Sequence, residues 1–253
     1  MTGLPLRQNT DTISGRLVSI ASESAIYRDG SYLKNNPSWH IEESPFKVRQ
    51  IQRMMRQQNL APKTVCDVGC GAGLVLAELQ AHLPSDCVCW GYDVSPDALA
   101  MSRGRGNDNL RFRMRDIRKD ESGPYFDLLL MLDVFEHVED YMGLVRAVRP
   151  KAKQKLFHIP LDLSVQAVLR KNGLLLRRDH HAHLHYFTKE TALRTLTDVG
   201  YKIVDYFYTP RCIELGDLFI QKMVKIPRQL SFALAPDLTV RVLGGYSLLV
   251  LAE

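Results

Sequence analysis

The segment Val65-Cys66-Asp67-Val68-Gly69-Cys70-Gly71-Ala72-Gly73-Leu74 constrains this chain more than any other. A short apolar run ends at an acid and breaks into three glycines at alternate positions. It then passes directly into a helix-forming stretch, Leu74 to Leu83. Strand, glycine turn and helix in that order build a loop where the backbone can approach a ligand closely and adopt positive φ. The helix that follows presents unpaired N–H groups to whatever is bound there. The spacing is not the dinucleotide fingerprint G-x-G-x-x-G, whose last glycine allows close helix–strand packing. Here that position is Leu74, and the third glycine comes one residue early, at Gly73.

Three further segments follow at βα spacing. Val88 to Asp93 reads as a second strand ending in an acid, and an acid at that point in a nucleotide-binding unit accepts from ribose hydroxyls. Ser95-Pro96-Asp97 carries the signature of a helix start: cap, proline at the first position, acid in the first turn. Leu110 to Met114 is a third, alternating strand, followed by Asp116. Tyr125 to Leu132 is an apolar run interrupted only by Asp127, as expected of a central parallel strand buried on both faces. It ends in Asp133-Val134-Phe135-Glu136-His137-Val138.

The D-x-G-x-G-x-G turn resembles motif I of the class I S-adenosylmethionine (SAM) dependent methyltransferases. The tail after the fourth strand resembles the "LEHV" stretch common in small-molecule members of that class. The resemblance covers roughly residues 45 to 208, with a final strand near 245 to 252. It implies SAM as cofactor and a site assignment residue by residue. Gly69, Gly71 and Gly73, with Cys70 between them, would surround the methionine moiety, and Asp67 would act near its amino group. Asp93, with Val94 after it, would take the ribose hydroxyls. Asp116 and Ile117 would border the adenine, and Leu132 or Asp133 would face the cofactor from the fourth strand. Taken singly, each acid also suits a turn or a cap.

Methyl transfer from a sulfonium needs alignment above all, which can supply on the order of 7–11 kcal/mol; a base matters only if the acceptor must lose a proton. His137, just past the fourth strand, and His158, ending the fifth, are the two candidate bases, and His137 serves equally as a helix cap. His180, His181, His183 and His185 cluster further on. As a strand, H-x-H-x-H would put His181, His183 and His185 on one side, but no acid or cysteine partner is evident for a metal, and a pocket wall or structural loop is preferred.

The alternation of strands and helices predicts an α/β fold: a doubly wound, Rossmann-like sheet of seven strands, mostly parallel, with helices on both faces. By the resemblance the last strand runs antiparallel. Residues 1–44 read as an N-terminal arm, with the aromatic-rich stretch Ala25 to His40 as a lid or pocket wall, or else a segment packed on the sheet edge. Residues 45–253 read as the main domain, with insertions at about 161–187 and 209–243. Ser44 is expected to cap the first long helix, a second helix to span 137–148, and Thr188 to cap a third that ends at Gly200.

Composition narrows the function classes. The five scattered cysteines form no C-x-x-C pair and read as small apolar residues of a reducing compartment, with cytoplasm as the default. No apolar run reaches membrane-span length, and the N-terminus lacks a secretory core. Between Arg146 and Arg194 eleven Lys/Arg face three acids. That pattern reads either as a solvated face or as an approach for an anionic substrate. An Asn/Asp-Pro-Pro-aromatic tetrad and a Pro-Cys pair are both missing, which excludes the corresponding DNA enzymes. No RNA-binding module is recognisable. The expectation is methyl transfer to O or N of a small metabolite, an anionic one if the basic stretch marks its approach. A SAM-binding partner protein without turnover and an RNA methyltransferase are the alternatives. Residues 213 to 234 are apolar enough to cover the site or to touch a membrane.

Overall fold

The structure is a computed structural model and describes residues 27–119, 123–214 and 219–253. The rest of the expected N-terminal arm, residues 1–26, lies outside the described residues.

Seven strands form one sheet: β1 (Thr64–Val68), β2 (Val88–Asp93), β3 (Leu110–Met114), β4 (Phe126–Leu132), β5 (Ala152–Pro160), β6 (Ile203–Thr209) and β7 (Ser247–Ala252). Their order is β3-β2-β1-β4-β5-β7-β6. All neighbours are parallel except β7, which runs antiparallel to both β5 and β6. The order reverses between β1 and β4, so their carboxyl ends open a crevice, which is where ligands bind in sheets of this kind.

The helices are α1 (Ser31–Asn35), α2 (Ser44–Gln57), α3 (Leu74–Gln80), α4 (Pro96–Ser102), α5 (Tyr141–Val148), α6 (Val165–Leu169), α7 (Gly173–His181), α8 (Lys189–Asp198), α9 (Arg211–Glu214), α10 (Phe219–Leu234) and α11 (Pro236–Leu243). Side chains alternate across a strand, and β4 divides its apolar residues between two cores. Leu128, Leu130 and Leu132 join Ile51 and Met54 of α2 and Leu76 and Leu79 of α3. Leu129 and Met131 join Leu144 and Val148 of α5 and Leu196 of α8. This two-sided burial is why β4 is apolar throughout Leu128–Leu132 rather than alternating.

Two local expectations are corrected. Ser44 does not cap α2. A 3-10 turn over Ile41–Glu43 leads into the helix, Ser44 is already helical, and Glu43 holds the cap position without a side-chain bond. The helix expected over 137–148 starts at Tyr141, because Asp140 caps it by accepting from the Gly143 N–H at 2.8 Å. His137 therefore caps no helix and closes a separate 3-10 turn, Phe135–His137. In the histidine cluster His181 ends α7, Ala182 turns left-handed (φ 60°), and the residues after it are irregular, so the conditional strand arrangement is not formed and the preferred loop reading stands. The other caps form as read. Ser95 accepts from the Ala98 N–H, and Thr188 and Thr191 make a reciprocal capping box.

Of the apolar run at 213–234, the side chains described are those from Lys225 onward. Ile226, Leu230 and Leu234 are exposed, one turn apart on α10, while Phe232 stacks on Tyr246 at 5.0 Å. Among the described residues no helix is long and apolar enough to cross a membrane.

Candidate active site

The glycine turn sits at the end of β1. Gly71 has φ +55°, and a Cβ there would stand 2.7 Å from Trp39 Cδ1. Gly73 has φ +78°, and its Cβ would meet Phe112 of β3 at 2.6 Å. Only glycine suits both positions, for conformation and for space. Asp93, at the end of β2, holds the turn in place: one carboxyl oxygen accepts from the Gly71 N–H and the other from the Ser95 N–H, each at 2.8 Å. Burial raises the Asp93 carboxyl, against the pull of those two N–H groups.

Two contiguous chambers open around the turn, of about 960 and 870 Å³ with the solvent space at their open mouths included. Both are lined by Tyr32, Trp39, Gly69, Asp133 and His137. The larger contains Asp67, Cys70, Gly71, Gly73 and Leu132. The smaller contains Asp93, Val94, Asp116 and Ile117. The cleft thus gathers every residue assigned to the cofactor. Asp116 arrives already engaged, since Arg118 donates to both of its oxygens at 3.0 Å and its carboxyl is held low despite burial.

Asp67 is 2% exposed, and its Oδ1 has no hydrogen-bond partner. Burial pushes this carboxyl up to about 7, with Lys47 pulling the other way. A buried acceptor left unmatched is costly. An ammonium group placed beneath the glycine turn would satisfy it, so the residues fit the amino-acid end of SAM.

His158 is the main departure among the predicted residues. It is 2% exposed and does not line the cleft. Its Nδ1 donates to Asp133 Oδ1 at 2.6 Å, and its Nε2 meets Thr209 Oγ1 at 2.9 Å. Both ring nitrogens are spent inside the fold, so His158 is no base for a bound acceptor; it orients Asp133. Lys47 Nζ takes the other oxygen of Asp133 at 2.7 Å. Burial opposes the charge on Asp133, but His158 and Lys47 outweigh it and hold the carboxyl well below the usual range. Asp133 itself stands in the left-handed region (φ 56°).

His137 does line the cleft. Its Nδ1 donates to the Ala182 carbonyl at 3.2 Å, and burial, with His183 adjacent, lowers its pKa to about 3. Next to it Glu136 is fully buried, and neither of its carboxyl oxygens has a partner. Burial and the nearby Asp133 push Glu136 well above the usual carboxylate range. His183 Nδ1 donates to Asp162 Oδ2 at 2.5 Å, whereas His185 Nε2 turns away to the Val138 carbonyl at 2.9 Å.

The segment at 27–43 forms the roof. Tyr32 is buried, with its ring 4.9 Å from Trp39 and 4.8 Å from Tyr27. Trp39 and His40 are both left-handed (φ 50° and 57°), an uncommon state for such residues. Tyr32 and Trp39 both line the cleft.

Several wall residues carry no sequence signal. Lys47, Asp162, Arg177 and Arg211 line the larger chamber. They come from α2, the first insertion and α9, and no motif or periodicity links them. Each cation there is matched: Lys47 by Asp133, Arg177 by Asp162 at 3.4 Å, and Arg211 by Glu43.

Residues 39–206 match the family model described as "Methyltransferase domain". The chain belongs to that family. A ubiquinone biosynthesis O-methyltransferase from Acinetobacter baumannii is 31% identical over 117 residues, which is 44% of this chain and 47% of that protein. The chain thus matches about half the length of this curated relative. Magnesium protoporphyrin IX methyltransferase from Synechocystis PCC 6803, solved with bound SAH, superposes with a TM-score of 0.61 at 15% identity, covering 91% of this chain and 99% of that one. The N-methyltransferase NodS from Bradyrhizobium japonicum, solved with S-adenosyl-L-homocysteine, gives 0.57 at 17%, covering 88% and 98%. At such identities the two structures speak for the fold. They share the seven-stranded, largely parallel sheet of a Rossmann-like methyltransferase.

Proposed function

We propose that this chain is a SAM-dependent methyltransferase acting on O or N of a small polar metabolite. The observation that carries the reading is the pair of acids flanking the glycine turn. Asp67 offers a buried, unmatched oxygen beneath the turn, and Asp93 lies one strand over, at the wall of the second chamber. Glycine turn, ammonium acceptor and ribose acceptor are the three contacts an S-adenosyl group requires, and family membership supports the same donor. The solved neighbours hold SAH in the same fold.

With the donor seated across both chambers, its methyl group would face the part of the larger chamber walled by His137, His183 and Arg177. The wall cations are each paired with an acid, which favours a neutral, polar acceptor over an anionic one. Oxygen is the preferred acceptor atom, in keeping with the O-methyltransferase relative. Tyr32 and Trp39 would exclude water over the donor, so residues 27–44 belong functionally to the domain that follows them.

Isothermal titration with S-adenosylhomocysteine tests the reading. The chain should bind it, and Asp93→Ala should weaken that binding by about tenfold or more, a loss of at least ~1.4 kcal/mol. Equal affinity in the variant, or no binding by the parent chain, removes the assignment.

A further inference from the structure

His137 and His183 line the larger chamber, and Glu136, fully buried, lies beside them. One donor atom from each lies within 4.8 Å of the other two. Glu136 is fully buried with both carboxyl oxygens unpartnered, an arrangement that costs several kcal/mol unless something satisfies it. The two imidazole rings stand 4.8 Å apart at 84°, so neither stacks on the other.

Each ring is anchored from its far side. His137 Nδ1 donates to the Ala182 carbonyl, and His183 Nδ1 donates to the Asp162 carboxylate. Acceptors at Nδ1 hold the proton there and leave Nε2 as a lone pair, the orientation seen where a carboxylate or carbonyl backs a metal-bound histidine. His137 Nε2 stands 3.8 Å from Glu136 Oε1. Two ligands of one tetrahedral ion at about 2.0–2.1 Å lie roughly 3.4 Å apart, so this pair needs a shift of a few tenths of an ångström, and a pair at the 4.8 Å limit closes by about 1.4 Å through side-chain adjustment.

We infer that Glu136, His137 and His183 form a site for one divalent transition ion of the zinc class, with Asp162 and the Ala182 carbonyl orienting the two imidazoles. Two imidazoles and one carboxylate suit such an ion better than Mg²⁺ or Ca²⁺, which prefer oxygen alone. Three protein ligands leave a coordination position open. It faces the cleft, because His137 and His183 both line it.

The use of that position rests on the methyltransferase reading. An acceptor hydroxyl bound to the ion releases its proton to solvent, a step the ion eases by stabilising the oxyanion. The oxygen takes the methyl group as the carbon–sulfur bond breaks, and the sulfonium leaves as a thioether. One methyl is transferred and one proton released, with no redox partner. The ion would do the work for which His158 is misplaced.

Equilibrium dialysis of the metal-free full chain against Zn²⁺, with metal quantified per chain, tests the site. One equivalent should bind, and Glu136→Gln and His183→Gln should each weaken it by at least about 100-fold. Co²⁺ in place of Zn²⁺ should give visible absorption bands that both variants lose. Cooperative thermal unfolding checks that the variants fold. Donor binding is read separately by titration with S-adenosylhomocysteine. Zinc binding without donor binding leaves the metal site standing and removes the methyltransferase reading. Donor binding with no stoichiometric zinc, or zinc uptake unchanged in both variants, overturns the site.

Discussion

Asp67 shows how one residue can be placed by sequence and given its character by the fold. Its position, two residues before the first glycine, is legible in the sequence. Its ionisation is not, because that depends on being 2% exposed with an unmatched oxygen. A carboxyl at about 7 in the folded chain against 3.8 for the free group means that the folded state binds more protons. Its contribution to stability is therefore complete below about pH 4, falls as pH rises, and is lost above about pH 7. At ~1.36 kcal/mol per unit the change is on the order of 4 kcal/mol. Denaturant unfolding of the parent and of Asp67→Asn should diverge in favour of the variant between pH 4 and 7.5. A pH-independent difference would contradict this. Affinity for a donor carrying an ammonium group should strengthen over the same range, since only the carboxylate pairs with it.

At the scale of elements, the boundaries that local chemistry sets were readable, and those set by neighbours were not. Thr188 caps α8 because two hydroxyls three residues apart satisfy each other's N–H groups, a contact entirely within the sequence motif. Thr188→Ala should cost about 1 kcal/mol, seen as a fall in Tm of roughly 2–4 °C by calorimetry. Ser44 failed as a cap because the preceding turn was already coiled, and the helix expected from His137 waited for Asp140. The sheet was legible because its strands read as apolar or alternating runs between turn signals, and β4 announced its two-sided burial by the unbroken apolar stretch Leu128–Leu132. The histidine cluster has no single period, because the chain there leaves a helix through a left-handed Ala182 and runs on irregularly.

The whole molecule brings a roof to the cleft from a segment that carries no cofactor motif. Trp39 lies over Gly71, whereas Trp90, the other tryptophan, stands on β2 beside Arg111 and Arg113. Titration with S-adenosylhomocysteine should change tryptophan emission in the parent chain and in Trp90→Phe, and leave it unchanged in Trp39→Phe. A signal that follows Trp90 instead would remove the roof from the binding event.

By itself the sequence determined the alternation of strands and helices, the glycine turn and the acids at the ends of β1 and β2. These depend on contacts between residues close in the chain or on periodicity, which any reader of the sequence can follow. The tertiary structure alone decided that His158 faces inward to Asp133, that Lys47 reaches the same carboxylate, and that Glu136, His137 and His183 meet. Those groups are separated by long stretches of chain, or, like Glu136 and His137, become a site only when a distant residue is folded against them. Burial and distance, which set their chemistry, do not exist until the sheet has closed.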